Sequence, residues 1–140
     1  MGSSDMTGRN GYNTHPRILL VEDDAAMRAL LMDELTEAGY LVSQAVDGAE
    51  GAQKLSQAAS TGGFNLIITD LKMPRVSGRG LLAIVKERYP TMPVIAITAF
   101  ADEPEVVKSY HTDFFAYLHK PFKMEELKTA VEAALRNGVN

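Results

Sequence analysis

The chain has 140 residues, of which 46% are hydrophobic, enough for one domain with a packed core but hardly for two. Its formal net charge of −4 provides no basic surface for nucleic acid or an anionic membrane, and the absence of cysteine excludes disulfides, thiolate zinc sites and cysteine nucleophiles. No apolar run is long enough to cross a bilayer and no signal peptide is visible, so we expect a soluble cytoplasmic protein.

Residues 1–15 differ in composition from the rest of the chain. They are polar, contain several glycines and serines, and show neither helical nor strand periodicity. We therefore interpret residues 1–15 as a disordered leader or a cloning remnant, and we expect a single folded domain over residues 16–138.

Strand and helix patterns alternate along this domain. In chain order, the patterns predict a strand at 17–22, a helix at 25–38, a strand at 41–46, a helix at 49–59, a strand at 65–69, a helix following Ser77, a strand at 94–97, a short helix near 102–110, a strand at 114–118 and a helix from 124 to 137. Five strands alternating with five helices predict a parallel sheet that is covered by helices on both faces.

Local signals mark the ends of the first elements. Asp23 or Asp24 is a suitable N-cap for the first helix, which ends at Gly39, and Asp47-Gly48 is read as the turn after the second strand. The helical spacing of the first helix predicts that its apolar residues face the core, namely Met27, Leu30, Leu31, Leu35 and Ala38.

Acidic and polar residues stand where four of the predicted strands end. Asp70 closes an apolar run, Glu22-Asp23-Asp24 follows the first strand, and Thr98 and Lys120 follow the fourth and fifth strands. The carboxyl ends of parallel strands meet at one edge of an open sheet, which is where such sheets bind ligands. The sequence therefore predicts one site built from these strand ends.

The three carboxylates of Glu22, Asp23 and Asp70 would repel one another unless a positive charge lay among them. All three offer oxygen ligands, so a hard cation such as Mg²⁺ fits better than zinc. The alternative is that Asp23 and Asp24 only cap a helix, which explains one acid but not three from two strands. A cation, the Lys120 amine and the Thr98 hydroxyl around one carboxylate suit the formation of an aspartyl phosphate.

Four strings resemble a known family, namely Leu20-Val21-Glu22-Asp23-Asp24, Thr69-Asp70-Leu71-Lys72-Met73-Pro74, Thr98-Ala99 and Lys120-Pro121-Phe122. With them, residues 17–138 resemble the receiver domain of two-component response regulators, the CheY-like family. The resemblance implies a flavodoxin-like, doubly wound parallel sheet with the strand order 2-1-3-4-5, a topology for which CheY is a standard example.

The resemblance also implies a role for each matching residue. Asp70 would be the phosphoacceptor, receiving its phosphoryl group from a phosphohistidine on a histidine kinase or a histidine phosphotransfer protein. Glu22 and Asp23 would hold Mg²⁺ together with Asp70 and the backbone carbonyl of Lys72. Such a domain is a signalling module that assists only its own phosphorylation and dephosphorylation, not an enzyme acting on other substrates.

Further residues of the resemblance concern the response to phosphorylation. Thr98 and Lys120 would each contact an oxygen of the phosphoryl group. Tyr117 resembles the aromatic side chain that swings inward when Thr98 moves towards the phosphate. The Lys120–Pro121 peptide bond resembles one that is usually cis in these domains.

Aromatic residues concentrate near the end of the chain. Six of the ten phenylalanines and tyrosines lie in one stretch, namely Phe100, Tyr110, Phe114, Phe115, Tyr117 and Phe122. We interpret the face formed by the fourth helix, the fifth strand and the fifth helix as the output surface, which would bind an effector protein or a second copy of the chain. The alternative is that most of these rings pack inward. Phe114 replaces a residue that is small in the family, which predicts local repacking.

Other functions remain open at this stage. A small Mg²⁺-dependent phosphatase also forms an aspartyl phosphate, but such enzymes carry a second acid two residues after the nucleophile, where this chain has Lys72. A degenerate receiver that acts only in docking would lack some of the site residues, whereas this chain has all five. A phosphohistidine carrier would be a helical bundle, whereas this chain alternates strands and helices. The chain is either a stand-alone regulator or a fragment of a transcription factor or hybrid histidine kinase. Any DNA binding would belong to other residues.

Overall fold

Five short strands form one parallel sheet in the computed structural model, which describes residues 15–70, 78–98 and 114–138. The strands are β1 (Arg17–Val21), β2 (Leu41–Ala45), β3 (Leu66–Asp70), β4 (Val94–Thr98) and β5 (Ala116–His119). The α-helices within the described residues are α1 (Ala25–Glu37), α2 (Gly48–Ala58), α3 (Gly78–Arg88) and α4 (Met124–Gly138), and a short 3-10 helix, Ala59–Thr61, follows α2.

The spatial order of the strands is β2-β1-β3-β4-β5, and each neighbouring pair is parallel. This confirms the predicted doubly wound, flavodoxin-like architecture. Asp70 of β3 lies opposite Ile97 of β4, and Thr98 lies opposite His119 of β5. The carboxyl ends of the central strands therefore reach the same edge of the sheet, and this register places Asp70 and Thr98 there.

Side chains that alternate along the strands build one apolar core on each face of the sheet. Leu19 and Val21 pack with residues of α2 and α3, whereas Ile18 and Leu20 pack with residues of α1 and α4. All residues of β3 and β4 are buried, as expected for central strands of a parallel sheet with both faces covered. The rigid strands thus carry their terminal side chains to fixed positions.

Capping side chains determine where α1 and α2 begin. The Asp24 carboxylate accepts a hydrogen bond from the Ala26 backbone N–H, which decides between the two predicted caps. The Asp47 carboxylate accepts one from the Glu50 N–H, so Asp47 caps α2 and Gly48 is already its first residue. The prediction of a separate Asp47-Gly48 turn was therefore wrong, because the aspartate starts the helix directly.

Two further expectations differ from the structure. Of the α1 residues predicted to face the core, Leu31 and Leu35 do so, whereas Leu30 is 47% exposed and Ala38, the C-cap of the helix, is exposed as well. Strand β5 begins at Ala116 and not at residue 114, because the backbone bends at Phe115; Phe114, which precedes the bend, is buried in the core on the α2–α3 face. The sequence predicted local repacking around the Phe114 ring, and the structure places this ring within that core.

Several predictions fall outside the described residues. They concern the short helix near 102–110, the Ser77 cap, the aromatic residues Phe100 and Tyr110, and all but the last residue of the proposed leader. Within the ranges that the structure describes, no helix combines the length and apolar character needed to span a bilayer.

Candidate functional site

Three carboxylates converge at the carboxyl edge of the sheet. Asp70 is the last residue of β3 and is only 2% exposed, Glu22 directly follows β1 and is fully buried, and Asp23 is exposed to solvent. Each of the three offers an oxygen atom, and these oxygens lie within 4.8 Å of one another. The structure therefore brings together the acids that the strand ends predicted.

The segment between β1 and α1 is held by hydrogen bonds on both sides of Asp23. The Glu22 N–H donates to the Ala45 carbonyl of β2 over 3.0 Å, and the Asp24 N–H donates to Glu22 Oε2 over 3.1 Å. Asp24 itself caps α1. Because its neighbours are fixed in this way, Asp23 is presented at the surface from a rigid turn.

Lys120 lies directly after β5 and points into the acidic cluster. Its Nζ donates to Asp70 Oδ2 over 2.8 Å and to Glu22 Oε1 over 3.3 Å. The Lys120 backbone N–H donates to the Thr98 carbonyl over 2.7 Å, which ties the ends of β4 and β5 together. The Lys120–Pro121 peptide bond is cis, as the resemblance implied.

Burial and neighbouring charges shift the pKa values of two groups in the site. Burial, together with the nearby Asp70 charge, raises the pKa of Glu22 from 4.5 to about 7, even though the Asp24 N–H and Lys120 favour its charged form. Burial by itself would lower the pKa of Lys120, but its hydrogen bond and charge contact with Asp70, assisted by Glu22, raise that pKa on balance. Lys120 thus stays cationic, while Glu22 readily takes up a proton.

Thr98 and Tyr117 occupy positions beside the cluster. Thr98 is the last residue of β4 and is buried at the same sheet edge as Asp70. Tyr117 lies on β5, is 37% exposed, and meets the His119 ring edge-on with the ring centroids 5.9 Å apart. In this structure the Tyr117 side chain therefore faces outward. The predicted role of the Lys72 carbonyl lies outside the described residues.

The donor set suits a hard divalent cation. Glu22, Asp23 and Asp70 contribute carboxylate oxygens, and the group contains neither histidine nor cysteine. Negative charge is crowded there, because the three carboxylate oxygens lie within 4.8 Å of one another. A cation among these oxygens would relieve that crowding, and one exposed member, Asp23, leaves the group open to solvent. The residues present therefore fit Mg²⁺.

Sequence reasoning missed one residue that contacts this site. Arg28, the fourth residue of α1, donates from Nη1 to the Glu22 backbone carbonyl over 2.9 Å and from Nε to Gln44 Oε1 over 3.1 Å. Only its position as the first cation after the acidic segment could have drawn attention to it. Both acceptors become neighbours only once α1 has packed beside β2.

The aromatic residues near β5 are divided between the core and the surface. Phe114 is buried and Phe122 is partly buried against the core, whereas Phe115 and Tyr117 are each 37% exposed. Neither alternative, an aromatic surface or inward packing, therefore holds for all of the rings that the structure describes.

Comparisons with known proteins identify the family to which this fold and sequence are similar. The family profile described as the response regulator receiver domain matches residues 18–132. The DNA-binding transcriptional regulator NtrC of Proteus hauseri is 34% identical over 118 residues, which cover 84% of this chain but 24% of that protein. The chain thus spans about a quarter of the length of this relative.

Solved structures share the fold at similar levels of identity. A CheY-like response regulator receiver domain protein from Methanospirillum hungatei JF-1 has a TM-score of 0.78 at 30% identity, covering 89% of this chain and 96% of that one. The response regulator TrrA from Thermotoga maritima, solved in complex with Mg²⁺ and BeF, has a TM-score of 0.74 at 31% identity, covering 86% of this chain and 99% of that one. Because the family profile spans most of the sequence and the sheet has the same order, the chain belongs to the response regulator receiver domain family.

Proposed function

We propose that Asp70 accepts a phosphoryl group from a phosphohistidine and that this modification switches the binding of the output face. The observation that carries the proposal is the position of Lys120 Nζ, which lies 2.8 Å from the buried Asp70 carboxylate within a cluster of three acids. A buried carboxylate held by a permanent cation at a strand end is suited to nucleophilic attack and to stabilising the charge that follows.

The transfer requires little covalent chemistry from the protein. An Asp70 carboxylate oxygen attacks phosphorus and forms an O–P bond, while the N–P bond to the donor imidazole breaks and its electron pair stays on the ring nitrogen. The donor is a histidine kinase or a histidine phosphotransfer protein. Lys120 offsets the negative charge at Asp70, and the Thr98 hydroxyl donates a hydrogen bond to a phosphoryl oxygen.

The acidic cluster holds Mg²⁺ in this proposal. Glu22, Asp23, Asp70 and the backbone carbonyl of Lys72 would be its ligands. When bound, the ion neutralises charge on the phosphoryl oxygens and so allows an anionic donor to approach an acidic site. The structural similarity to TrrA, which was solved with Mg²⁺ and BeF, supports this assignment.

The output of the switch is a change at the face that contains β5. A phosphoryl group adds about 1.5 to 2 negative charges at Asp70 and draws Thr98 towards it. Tyr117, which faces outward in this structure, then turns inward. The output face, of which β5 and α4 belong to the described residues, consequently binds an effector protein or a second copy of the chain more tightly.

The domain acts in the cytoplasm as part of a phosphorelay, with residues 16–138 as the receiver and residues 1–15 as a leader or a cloning remnant. NtrC is a DNA-binding regulator and is much longer than this chain, which supports the alternative that the receiver belongs to a larger regulator. Contacts with nucleic acid would then be made by other domains. The receiver itself catalyses only the gain and loss of its own phosphoryl group.

Mass spectrometry after treatment with acetyl phosphate and Mg²⁺ tests the phosphoacceptor. We expect the wild-type chain to gain one phosphoryl group and Asp70→Asn to gain none, because the amide is not nucleophilic enough to form the anhydride. Asp33→Asn, which changes an exposed acid on α1, is the matched control and should behave as wild type.

Two outcomes would contradict the proposal. A wild-type chain that gains no phosphoryl group would favour a receiver that functions only in docking. Sustained hydrolysis of phosphate monoesters by the wild-type chain, lost in Asp70→Asn, would instead favour the phosphatase alternative.

A further inference from the structure

The Arg28 guanidinium connects three parts of the fold beside the acidic cluster. Nη1 donates to the carbonyl of Glu22, in the peptide that links Glu22 to Asp23, over 2.9 Å. Nε donates to the Gln44 side chain of β2 over 3.1 Å. The peptide that precedes Asp23 is thereby fixed from α1 and, through Gln44, from the edge strand.

The remaining polar groups of the same segment are also held. The Glu22 N–H is bonded to Ala45 of β2, the Glu22 side chain to Lys120 and to the Asp24 N–H, and the Asp24 carbonyl to the Arg28 N–H. Within the described contacts, Arg28 supplies the hydrogen bond to the Glu22 carbonyl. Without it, that peptide could rotate and carry the exposed Asp23 carboxylate away from the other two acids.

The charge of Arg28 has the opposite effect on a bound cation. A guanidinium so close to Glu22 repels a divalent cation in the acidic cluster, and an arginine in the first turn of α1 also faces the positive end of the helix dipole. Neither effect favours the binding of a cation. Any favourable contribution of Arg28 to cation binding must therefore come from the two directed hydrogen bonds, which a rigid planar guanidinium can make at once.

We infer that Arg28 is a positioning residue of the cation site, which orients the Glu22–Asp23 peptide so that Asp23 joins Glu22 and Asp70 around Mg²⁺. The inference rests on the proposed function, since it needs the acidic cluster to bind Mg²⁺. Arg28 contacts neither the ion nor the phosphoryl group in this role. It acts through the backbone of the segment that carries two of the ligands.

The test measures Mg²⁺ affinity by isothermal titration calorimetry on the whole chain, with the thermal midpoint of each metal-free variant recorded beside it. Arg28→Ala should weaken Mg²⁺ binding about tenfold or more, as expected when a group that orients metal ligands is removed. Arg28→Lys should recover part of this loss, because an ammonium can reach only one of the two acceptors.

Gln44→Leu separates orientation from charge. It removes the second anchor of the guanidinium without altering any charge, and it should weaken Mg²⁺ binding about fivefold, in proportion to one neutral hydrogen bond. It also keeps the inference testable if Arg28→Ala fails to fold. Arg88→Ala, at the far end of α3 and exposed, removes the same charge away from the site and should leave the affinity unchanged.

Each other outcome has a definite meaning. Tighter Mg²⁺ binding in Arg28→Ala, with Gln44→Leu unchanged, would show that only the charge matters and would overturn the inference. Lower thermal midpoints without a change in Mg²⁺ affinity would mean that Arg28 only stabilises the fold, and this result would also overturn the inference. A wild-type chain that binds no Mg²⁺ would overturn the proposed function and this inference together, whereas equal binding by wild type and variants overturns this inference alone.

Discussion

Lys120 joins two buried carboxylates that would otherwise repel each other. It donates to Asp70 over 2.8 Å and to Glu22 over 3.3 Å, and both contacts are largely shielded from water. Charge-assisted hydrogen bonds in such surroundings are strong, but they do not fully offset the cost of burying two acids beside one base. The excess appears in the pKa of Glu22, which burial raises to about 7.

This raised pKa predicts how pH affects the metal-free chain. A carboxyl group whose pKa rises from 4.5 to about 7 on folding stabilises the fold fully below pH 4.5, and this contribution is lost as the pH rises through 7. The loss is at most on the order of 3 kcal/mol, because each unit of pKa corresponds to about 1.4 kcal/mol. Because Mg²⁺ requires the charged form, the increase in thermal midpoint caused by Mg²⁺ should be larger at about pH 8 than at about pH 6.

Glu22→Gln is the variant that assigns this pH dependence. The amide cannot titrate, so the metal-free variant should lose the decline in stability between about pH 5 and pH 7, as measured by urea unfolding. Glu37→Gln, an exposed acid at the end of α1, should retain the decline. An unchanged pH profile in Glu22→Gln would mean that another group is responsible.

Strand positions were easier to predict than the contacts between elements. β3 and β4 are continuous apolar runs that end in a polar residue, and this pattern alone placed Asp70 and Thr98 at the edge of the sheet. The sequence could not show that Glu22 is buried while its neighbour Asp23 is exposed. That difference depends on the Ala45 carbonyl and on Lys120, which reach Glu22 only in the assembled sheet.

The same reason explains why the sequence did not indicate the contact between Arg28 and the site. Its partner Gln44 is 16 residues away and belongs to a different element, so no periodicity links the two. The prediction of a turn at Asp47-Gly48 was wrong for a related reason. Asp-Gly is a common turn signal, and its use as a helix cap depends on the backbone N–H of Glu50 being within reach, as it is at 2.8 Å.

The Asp47 cap can be tested through the stability of the fold. Asp47→Ala removes the acceptor for the Glu50 N–H and should lower the free energy of unfolding by about 1 kcal/mol. Urea unfolding should show the change as a lower midpoint with an unaltered slope. Gln53→Ala, on the exposed side of α2, should change stability by less than about 0.5 kcal/mol. Equal losses in both variants would remove the capping argument.

The two cores leave the sheet little freedom to transmit a change by bending. Each face is covered by buried side chains from helices, and the central strands are buried throughout. In the proposed switch, a signal from Asp70 to the exposed side of β5 would therefore travel through side chains at the sheet edge. Thr98 stands between them, since its strand pairs with both β3 and β5 and its carbonyl accepts from Lys120.

Removal of the Thr98 hydroxyl should separate binding of a phosphoryl analogue from the response at Tyr117. In wild type, beryllofluoride with Mg²⁺ should shift the NMR signals of the Tyr117 ring, because a coupling of about 1 to 3 kcal/mol moves the two-state equilibrium. Thr98→Val keeps the branched, buried shape, so it should still bind the analogue at Asp70 while the Tyr117 shift falls to a small fraction of its wild-type size. Thr36→Val, an exposed threonine at the end of α1, should respond as wild type. A full Tyr117 shift in Thr98→Val would show that the signal bypasses this hydroxyl, and Lys120, whose backbone N–H joins the end of β5 to the Thr98 carbonyl, would be the next residue to test.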